Sequence, residues 1–245
     1  MNSFVAELLG TFLMILIGCG VVANVILKDT KGSNGGWIVI TTAWALAVFI
    51  GVSVAGPYSG AHLNPAVTLS VWMIGELNTL TALIYAAAQI LGGALGAFCV
   101  WLVYRPHFDR TEDPELTHGV FATAPAIRNI SSNFFSEVIA TFVLIGTILF
   151  FQEPSVEWEN TAGVIGLGSI GALPVAFLVW GIGLGLGGTT GYAINPVRDL
   201  APRLVYHLLP INAKRAFDKS YFWIPLIAPF VGSIVATLIF QLLTK

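Results

Sequence analysis

The sequence predicts an all-α membrane protein of six transmembrane helices plus two re-entrant half-helices, arranged as an inverted repeat. Composition is the first reason: the 245 residues are 56% hydrophobic and only 10% charged, where soluble domains carry about 25%, and the mean hydropathy is +0.83. The second is the presence of six apolar runs near the ~20 residues that cross a bilayer. The third is a pair of Asn-Pro corners inside otherwise apolar sequence, at Asn64-Pro65 and Asn195-Pro196. A formal net charge of −2 without a basic patch excludes a nucleic-acid partner.

In chain order, Phe4–Leu27 is too long for a signal-peptide core and lacks a basic start, so it reads as a retained first span. Trp37–Gly56, Leu80–Tyr104, Asn133–Phe151, Ile170–Gly187 and Tyr221–Leu243 supply the other five. Ahead of the fifth, the apolar stretch Gly163–Leu173 is either a helix start or a re-entrant linker. Loops are expected at Lys28–Gly36, Arg105–Ser132, Gln152–Thr161 and Pro210–Lys219. Two further pieces, Pro65–Ile74 and Pro196–Leu204, are too short to cross, since nine or ten helical residues span roughly 15 Å. Each starts with asparagine as N-cap and proline at the first helical position. Irregular backbone at that depth survives only inside protein or beside a wet cavity. Cys19 and Cys99 fall in spans and read as small buried hydrophobes, not a disulfide.

The halves repeat. Ala6-Glu7-Leu8-Leu9-Gly10-Thr11-Phe12 matches Ser136-Glu137-Val138-Ile139-Ala140-Thr141-Phe142, and Asn64 follows Glu7 by 57 residues where Asn195 follows Glu137 by 58. Each half holds three spans with a half-helix after the second. An odd span number inverts the second half, giving one domain over 1–245 with repeats 4–104 and 133–243 and linker 105–132. The shared site then lies near the midplane. Two half-helix N-termini meeting there aim two positive dipole ends at one spot. Asn64 and Asn195 would offer N–H donors, and the carbonyls of Gly60, Ala61, His62, Gly191, Tyr192 and Ala193 would offer acceptors. Arg198 adds a fixed charge, a combination that repels cations and accommodates neutral hydroxylated solutes.

These features together resemble the major intrinsic protein family, on its aquaglyceroporin branch, over nearly all residues from Ala6 to Leu243. The specific motifs are Asn64-Pro65-Ala66 and Asn195-Pro196-Val197-Arg198-Asp199, where Val197 replaces the usual alanine. The resemblance implies a constriction of Trp44, Gly183, Tyr192 and Arg198. Periodicity alone would make Trp44 a packing or lipid-facing residue. Water-selective relatives usually carry histidine at the Gly183 position, whereas the glycerol branch more often has phenylalanine at Tyr192. Asp199, Arg203, Pro225 and Leu226 also agree with the glycerol branch.

Glu7 and Glu137, carboxylates within spans, read by resemblance as supports that accept hydrogen bonds from the re-entrant loops. The alternative is a proton carrier in a coupled transporter. His62 reads as structural, and His107, His118 and His207 as loop residues without a site. Gly181, Gly183, Gly185, Gly187 and Gly188 suit close helix packing, most of all Gly181 and Gly185, and Gly92-Gly93-Ala94-Leu95-Gly96 reads as packing only. The resemblance implies a homotetramer in the cell membrane with both termini cytoplasmic. The positive-inside count opposes that orientation, because Lys28, Lys31, Arg105, Arg110, Arg128, Lys214, Arg215 and Lys219 would lie outside and only Lys245 inside. The expected activity is passive conduction of glycerol and other small uncharged solutes, with water, excluding protons and ions, and without cofactor, metal or catalysis. The alternatives are water, dihydroxyacetone, urea or lactic acid as the main cargo, and a proton-coupled transporter.

Overall fold

The computed structural model describes residues 1–244 apart from 153, 159, 160 and 165. In chain order its elements are α1 (Ser3–Ile26), α2 (Gly36–Ser59), α3 (Pro65–Met73), α4 (Thr79–Arg110), α5 (Pro114–Gly119) and α6 (Ile130–Leu149). They are followed by β1 (Ser155–Trp158), β2 (Thr161–Val164), α7 (Leu173–Gly185), α8 (Pro196–Leu208) and α9 (Trp223–Leu243). Among the described residues six helical stretches are long and apolar enough to cross a membrane, the fifth being α7 with the 3-10 turn Gly168–Ala172 before it. The short helices α3 and α8 begin at the two Asn-Pro corners.

Asparagine starts most of these helices. Asn2, Asn78 and Asn129 accept from the N–H groups of Val5, Thr81 and Ser132 at 2.9, 2.9 and 3.0 Å. Such caps satisfy donors that the helix cannot pair itself, and each contributes about 1 kcal/mol. Packing follows the repeat: α1 lies along α4, and α6 along α9. In both pairs glycine lets main chains touch. A Cβ at Gly96 would stand 2.7 Å from the Phe12 carbonyl oxygen, and one at Gly92 or Gly232 would overlap the carbonyls of Leu8 or Val138. Gly93 has another neighbour, because a Cβ there would meet Val197 Cγ1 at 3.0 Å and Ala201 Cβ at 3.1 Å.

A polar stripe on α9 carries α3. Ser233 Oγ donates to the Ala66 carbonyl at 2.7 Å, Ser70 Oγ donates to Thr237 Oγ1 at 2.8 Å while Thr237 donates to the Ser233 carbonyl, and Gln241 Nε2 donates to the Met73 carbonyl at 3.1 Å. Positions four apart lie on one helix face, so three turns of α9 hold the full length of α3.

Several expectations change. The linker drawn at 105–132 begins too early, because α4 continues past Tyr104 to Arg110, with Pro106 inside and His107 and Arg110 in its last turn. Cations there favour the C-terminal end of the helix dipole, so the helix outruns its apolar run; α5 occupies more of the same stretch. The second half-helix ends at Leu208, not Leu204. Part of the expected loop Gln152–Thr161 lies outside the described residues, but β1 and β2 pair there antiparallel, Ser155 opposite Val164. The all-α reading therefore gains one hairpin. Gly163–Leu173 closes β2 and then forms the 3-10 turn leading into α7. Among the described residues a Cβ at Gly181 or Gly185 would meet nothing within 4 Å, whereas Gly183, on the opposite face of α7, and Gly187, just beyond its end, sit against other residues.

Candidate functional site

The N-termini of α3 and α8 abut. Asn64 Oδ1 accepts from the N–H of Ala66 at 2.8 Å, and Asn195 Oδ1 accepts from Val197 and Arg198 at 3.0 and 3.2 Å. Each asparagine caps its own half-helix and ties down the other. Asn64 Nδ2 donates to the Ile194 carbonyl at 2.9 Å, and Asn195 Nδ2 donates to the Leu63 carbonyl at 2.8 Å. One N–H of each amide remains for a visitor.

The stretches leading into the corners share a strained backbone. Gly60, Ala61 and Leu63 have φ of 79°, 52° and 49°, and Gly191, Tyr192 and Ile194 have 86°, 40° and 47°. Left-handed non-glycine residues cost about 1–3 kcal/mol each and persist only where neighbours over-determine them. The two glutamates do so. Glu7 accepts from the N–H groups of His62 and Leu63 at 2.9 and 2.8 Å, and also from Ser59 Oγ and Gln89 Nε2 at 2.6 and 2.8 Å. Glu137 accepts from Ala193 and Ile194 at 3.0 and 3.1 Å. Gln89 Nε2 also reaches Thr68 Oγ1 at 3.1 Å, which bonds His62 Nδ1 at 3.1 Å. His62 thus belongs to a network fixing its loop.

Among the described residues no donor reaches the carbonyls of Gly60, Ala61, His62, Gly191, Tyr192 or Ala193, whereas those of Leu63 and Ile194 are taken by the asparagines. A cavity of about 550 Å³ runs along this path. Its wall includes Gly60 through Asn64 and Tyr192 through Asn195, together with apolar side chains such as Val52, Leu144, Ile148 and Val179. Gly191 is not in that wall. One side of the lumen is therefore a line of unpaired acceptors, and the other is hydrocarbon.

Trp44, Tyr192 and Arg198 converge at this cavity. The Arg198 guanidinium lies over the Trp44 ring, with Cζ 4.3 Å from the centroid. Trp44 and Tyr192 are 4% and 3% exposed, and neither the Trp44 Nε1 nor the Tyr192 hydroxyl has a partner among the described residues. Gly183 stands behind Tyr192, since a Cβ there would come within 2.9 Å of Tyr192 Cζ and 3.0 Å of Thr41 Cγ2. Gly187 is also filled by the tyrosine ring, with Cδ1 2.5 Å from a notional Cβ. The Gly183 carbonyl accepts from Trp37 Nε1 at 3.0 Å, and the Trp37 ring meets Tyr192 edge-on.

Asp199 and Arg203 do not reach the cavity. They form a buried pair, Arg203 Nε to Asp199 Oδ1 at 2.6 Å, which fastens α8 to the loop between α5 and α6. Asp199 Oδ2 accepts from the N–H and hydroxyl of Thr123, both at 2.7 Å, and Arg203 Nη2 donates to the Thr123 carbonyl at 2.8 Å. Arg203 Nη1 donates to His118 Nε2 at 3.2 Å. A guanidinium only donates, so that nitrogen is unprotonated. His118, which the sequence presents as a loop residue without a site, is buried and part of this clasp. Val197 fits because Gly93 faces it without a side chain. Pro225 lies in the first turn of α9, where no main-chain hydrogen bond is lost, and Leu226 is half-buried beside it.

Six spans around two abutting half-helices, with a cavity along their junction, define a pore-forming membrane protein. Comparison with known proteins agrees. The profile of the major intrinsic protein family matches residues 1–240. The chain is 46% identical to a probable glycerol uptake facilitator protein of Thermotoga maritima, over 98% of this chain and 99% of the other. It is also 46% identical to a glycerol uptake facilitator protein of Streptococcus pneumoniae, over 99% of both. Among solved structures it resembles the aquaglyceroporin of Plasmodium falciparum with a TM-score of 0.82 and 32% identity, covering 98% of this chain and 94% of that one. The chain belongs to the major intrinsic protein family.

Proposed function

We propose that the chain is a passive, bidirectional channel for glycerol and other small uncharged solutes, conducting water as well and excluding protons and other ions. The observation that carries this is the two-sided lumen: among the described residues, unpaired carbonyls along one side, apolar side chains along the other, and the unpartnered donors of Trp44 and Tyr192 beside the Arg198 guanidinium. A polyol has the same two sides. Its O–H groups exchange water for the carbonyls and the guanidinium, and its C–H groups lie on the indole and phenol rings. Trp44, Gly183, Tyr192 and Arg198 then form the selectivity filter, Gly183 by leaving room for the tyrosine. The paired half-helix N-termini and Arg198 supply the barrier to cations.

The facilitator names of the two bacterial relatives support glycerol as the main cargo. The free Tyr192 hydroxyl favours a second reading, in which a solute with polar atoms on more than one face, such as urea, lactic acid or dihydroxyacetone, is carried as well. Against a proton-coupled transporter stands Glu7, whose two oxygens already accept four hydrogen bonds and which does not line the cavity. Stopped-flow swelling of proteoliposomes with polyols, urea, lactic acid and water is the test. Glycerol uptake that saturates sharply, or that collapses with the proton gradient, overturns the channel reading.

The same reading makes the chain a single channel domain of two inverted repeats, assembled as a homotetramer in the cell membrane with both termini cytoplasmic. An impermeant thiol reagent applied to intact cells then labels a cysteine placed at residue 112; protection there reverses the orientation.

A further inference from the structure

We infer that Gly18, on α1 and outside the cavity wall, is a specificity-determining position, setting how far the Trp44 indole stands into the lumen. The inference rests on Trp44, Tyr192 and Arg198 being the constriction. A Cβ built at Gly18 would clash with Trp44 Cζ3 and stand 2.5 Å from each of its ring neighbours, Cε3 and Cη2. Three consecutive ring atoms at nearly equal distances mean that Gly18 meets the face of the indole. An edge-on approach would leave the two outer atoms clearly farther away. The ring therefore lies flat on the α1 main chain, recessed by the whole depth of a missing side chain.

Carbon atoms in contact settle about 3.5–4.0 Å apart, so a methyl at Gly18 displaces the ring by about 1 Å. Behind the ring stands the α1 backbone, which cannot yield. On its open side the ring borders the cavity and the Arg198 guanidinium, so displacement narrows the aperture. A filter wide enough for a carbon chain then favours water over glycerol. No wall residue is substituted, because Gly18 itself does not line the cavity.

Gly20 provides the internal control. It lies on the same helix two residues on, and a Cβ there meets nothing within 4 Å. Glycerol and water permeabilities are measured in proteoliposomes for the unaltered protein, Gly18→Ala, Gly20→Ala, Trp44→Ala and the Gly18→Ala/Trp44→Ala double variant. We expect Gly18→Ala to lower glycerol permeability about tenfold, equal to about 1.4 kcal/mol of barrier, with water changed by less than about twofold. Gly20→Ala should match the unaltered protein, and Gly18→Ala should add nothing once Trp44 is alanine. A glycerol-to-water ratio in Gly18→Ala equal to that of Gly20→Ala overturns the inference, as does an equal effect in the Trp44→Ala background. If Trp44→Ala itself leaves the ratio untouched, the constriction reading fails instead. Should Gly18→Ala not reconstitute, the smaller ring of Trp44→Phe should restore its assembly, and failure to do so also overturns the inference.

Discussion

Asn64 and Asn195 each hold the other's half of the protein, donating to the Ile194 and Leu63 carbonyls at 2.9 and 2.8 Å across 130 and 132 residues of chain. Alanine at either position loses a cap, about 1 kcal/mol, and leaves a buried carbonyl unpaired, about 1–3 kcal/mol more. Because the two bonds share one junction, the double alanine variant should destabilise by less than the sum of the singles. Thermal unfolding in detergent of the three variants checks this; strict additivity would mean that the two bonds are independent.

Gly183→His should suppress glycerol flux far more than water flux. The Cβ alone comes within 3.0 Å of the Tyr192 hydroxyl and Thr41 Cγ2, so the imidazole displaces the tyrosine before it enters the lumen. We expect at least a tenfold fall in the glycerol-to-water permeability ratio, or about 1.4 kcal/mol. Equal losses of both fluxes would separate Gly183 from selectivity.

Val197 and Gly93 are matched. Gly93→Ala places a methyl 3.0 Å from Val197 Cγ1 and 3.1 Å from Ala201 Cβ, and overpacking of this kind costs about 1–3 kcal/mol. Adding Val197→Ala should recover much of that loss. The melting temperatures of the single and double variants read it directly.

His118 should make the clasp on α8 sensitive to acid. Burial, with the Arg203 and then the Arg215 guanidinium beside it, holds its imidazole down at about 3 against an ordinary 6.5. Between those values an opened loop binds a proton that the closed loop refuses, so stability is intact above about pH 6.5 and falls as the pH drops toward 3. Hydrogen exchange across 117–123, corrected for intrinsic rates, should show opening at pH 5 relative to pH 7. His118→Gln, which keeps an acceptor for Arg203 without titrating, should flatten the dependence.

Much of this architecture is legible from one chain because lipid is a severe solvent. An apolar run of sufficient length has one use, and an Asn-Pro opening a run too short to cross has few. The spacing of Glu7 to Asn64 and of Glu137 to Asn195 carries through to the same pair of backbone bonds in each half. Helix ends were less legible. The last turn of α4 is largely polar and contributes no hydropathy, yet its hydrogen bonding continues. Spacing does not reveal which glycines in and just after α7 meet a neighbour, so it favours Gly181 over Gly187. Gly18 carries no sequence signal, since what matters is a ring reached from another helix. The role of His118 is hidden for a related reason: its partner Arg203 lies 85 residues away.

The stripe of Ser233, Thr237 and Gln241 has a consequence for how the protein is made. The helix it holds, α3, leaves the ribosome long before α9 does, and until α9 is inserted the Ala66 and Met73 carbonyls and the Ser70 hydroxyl lack these partners. The first half of the pore is thus completed by a helix synthesised 167 residues later, counted from Ala66 to Ser233. A chain cut short within α9 would present an unclasped half-helix to cellular proteolysis, although every residue of the lumen had already been translated.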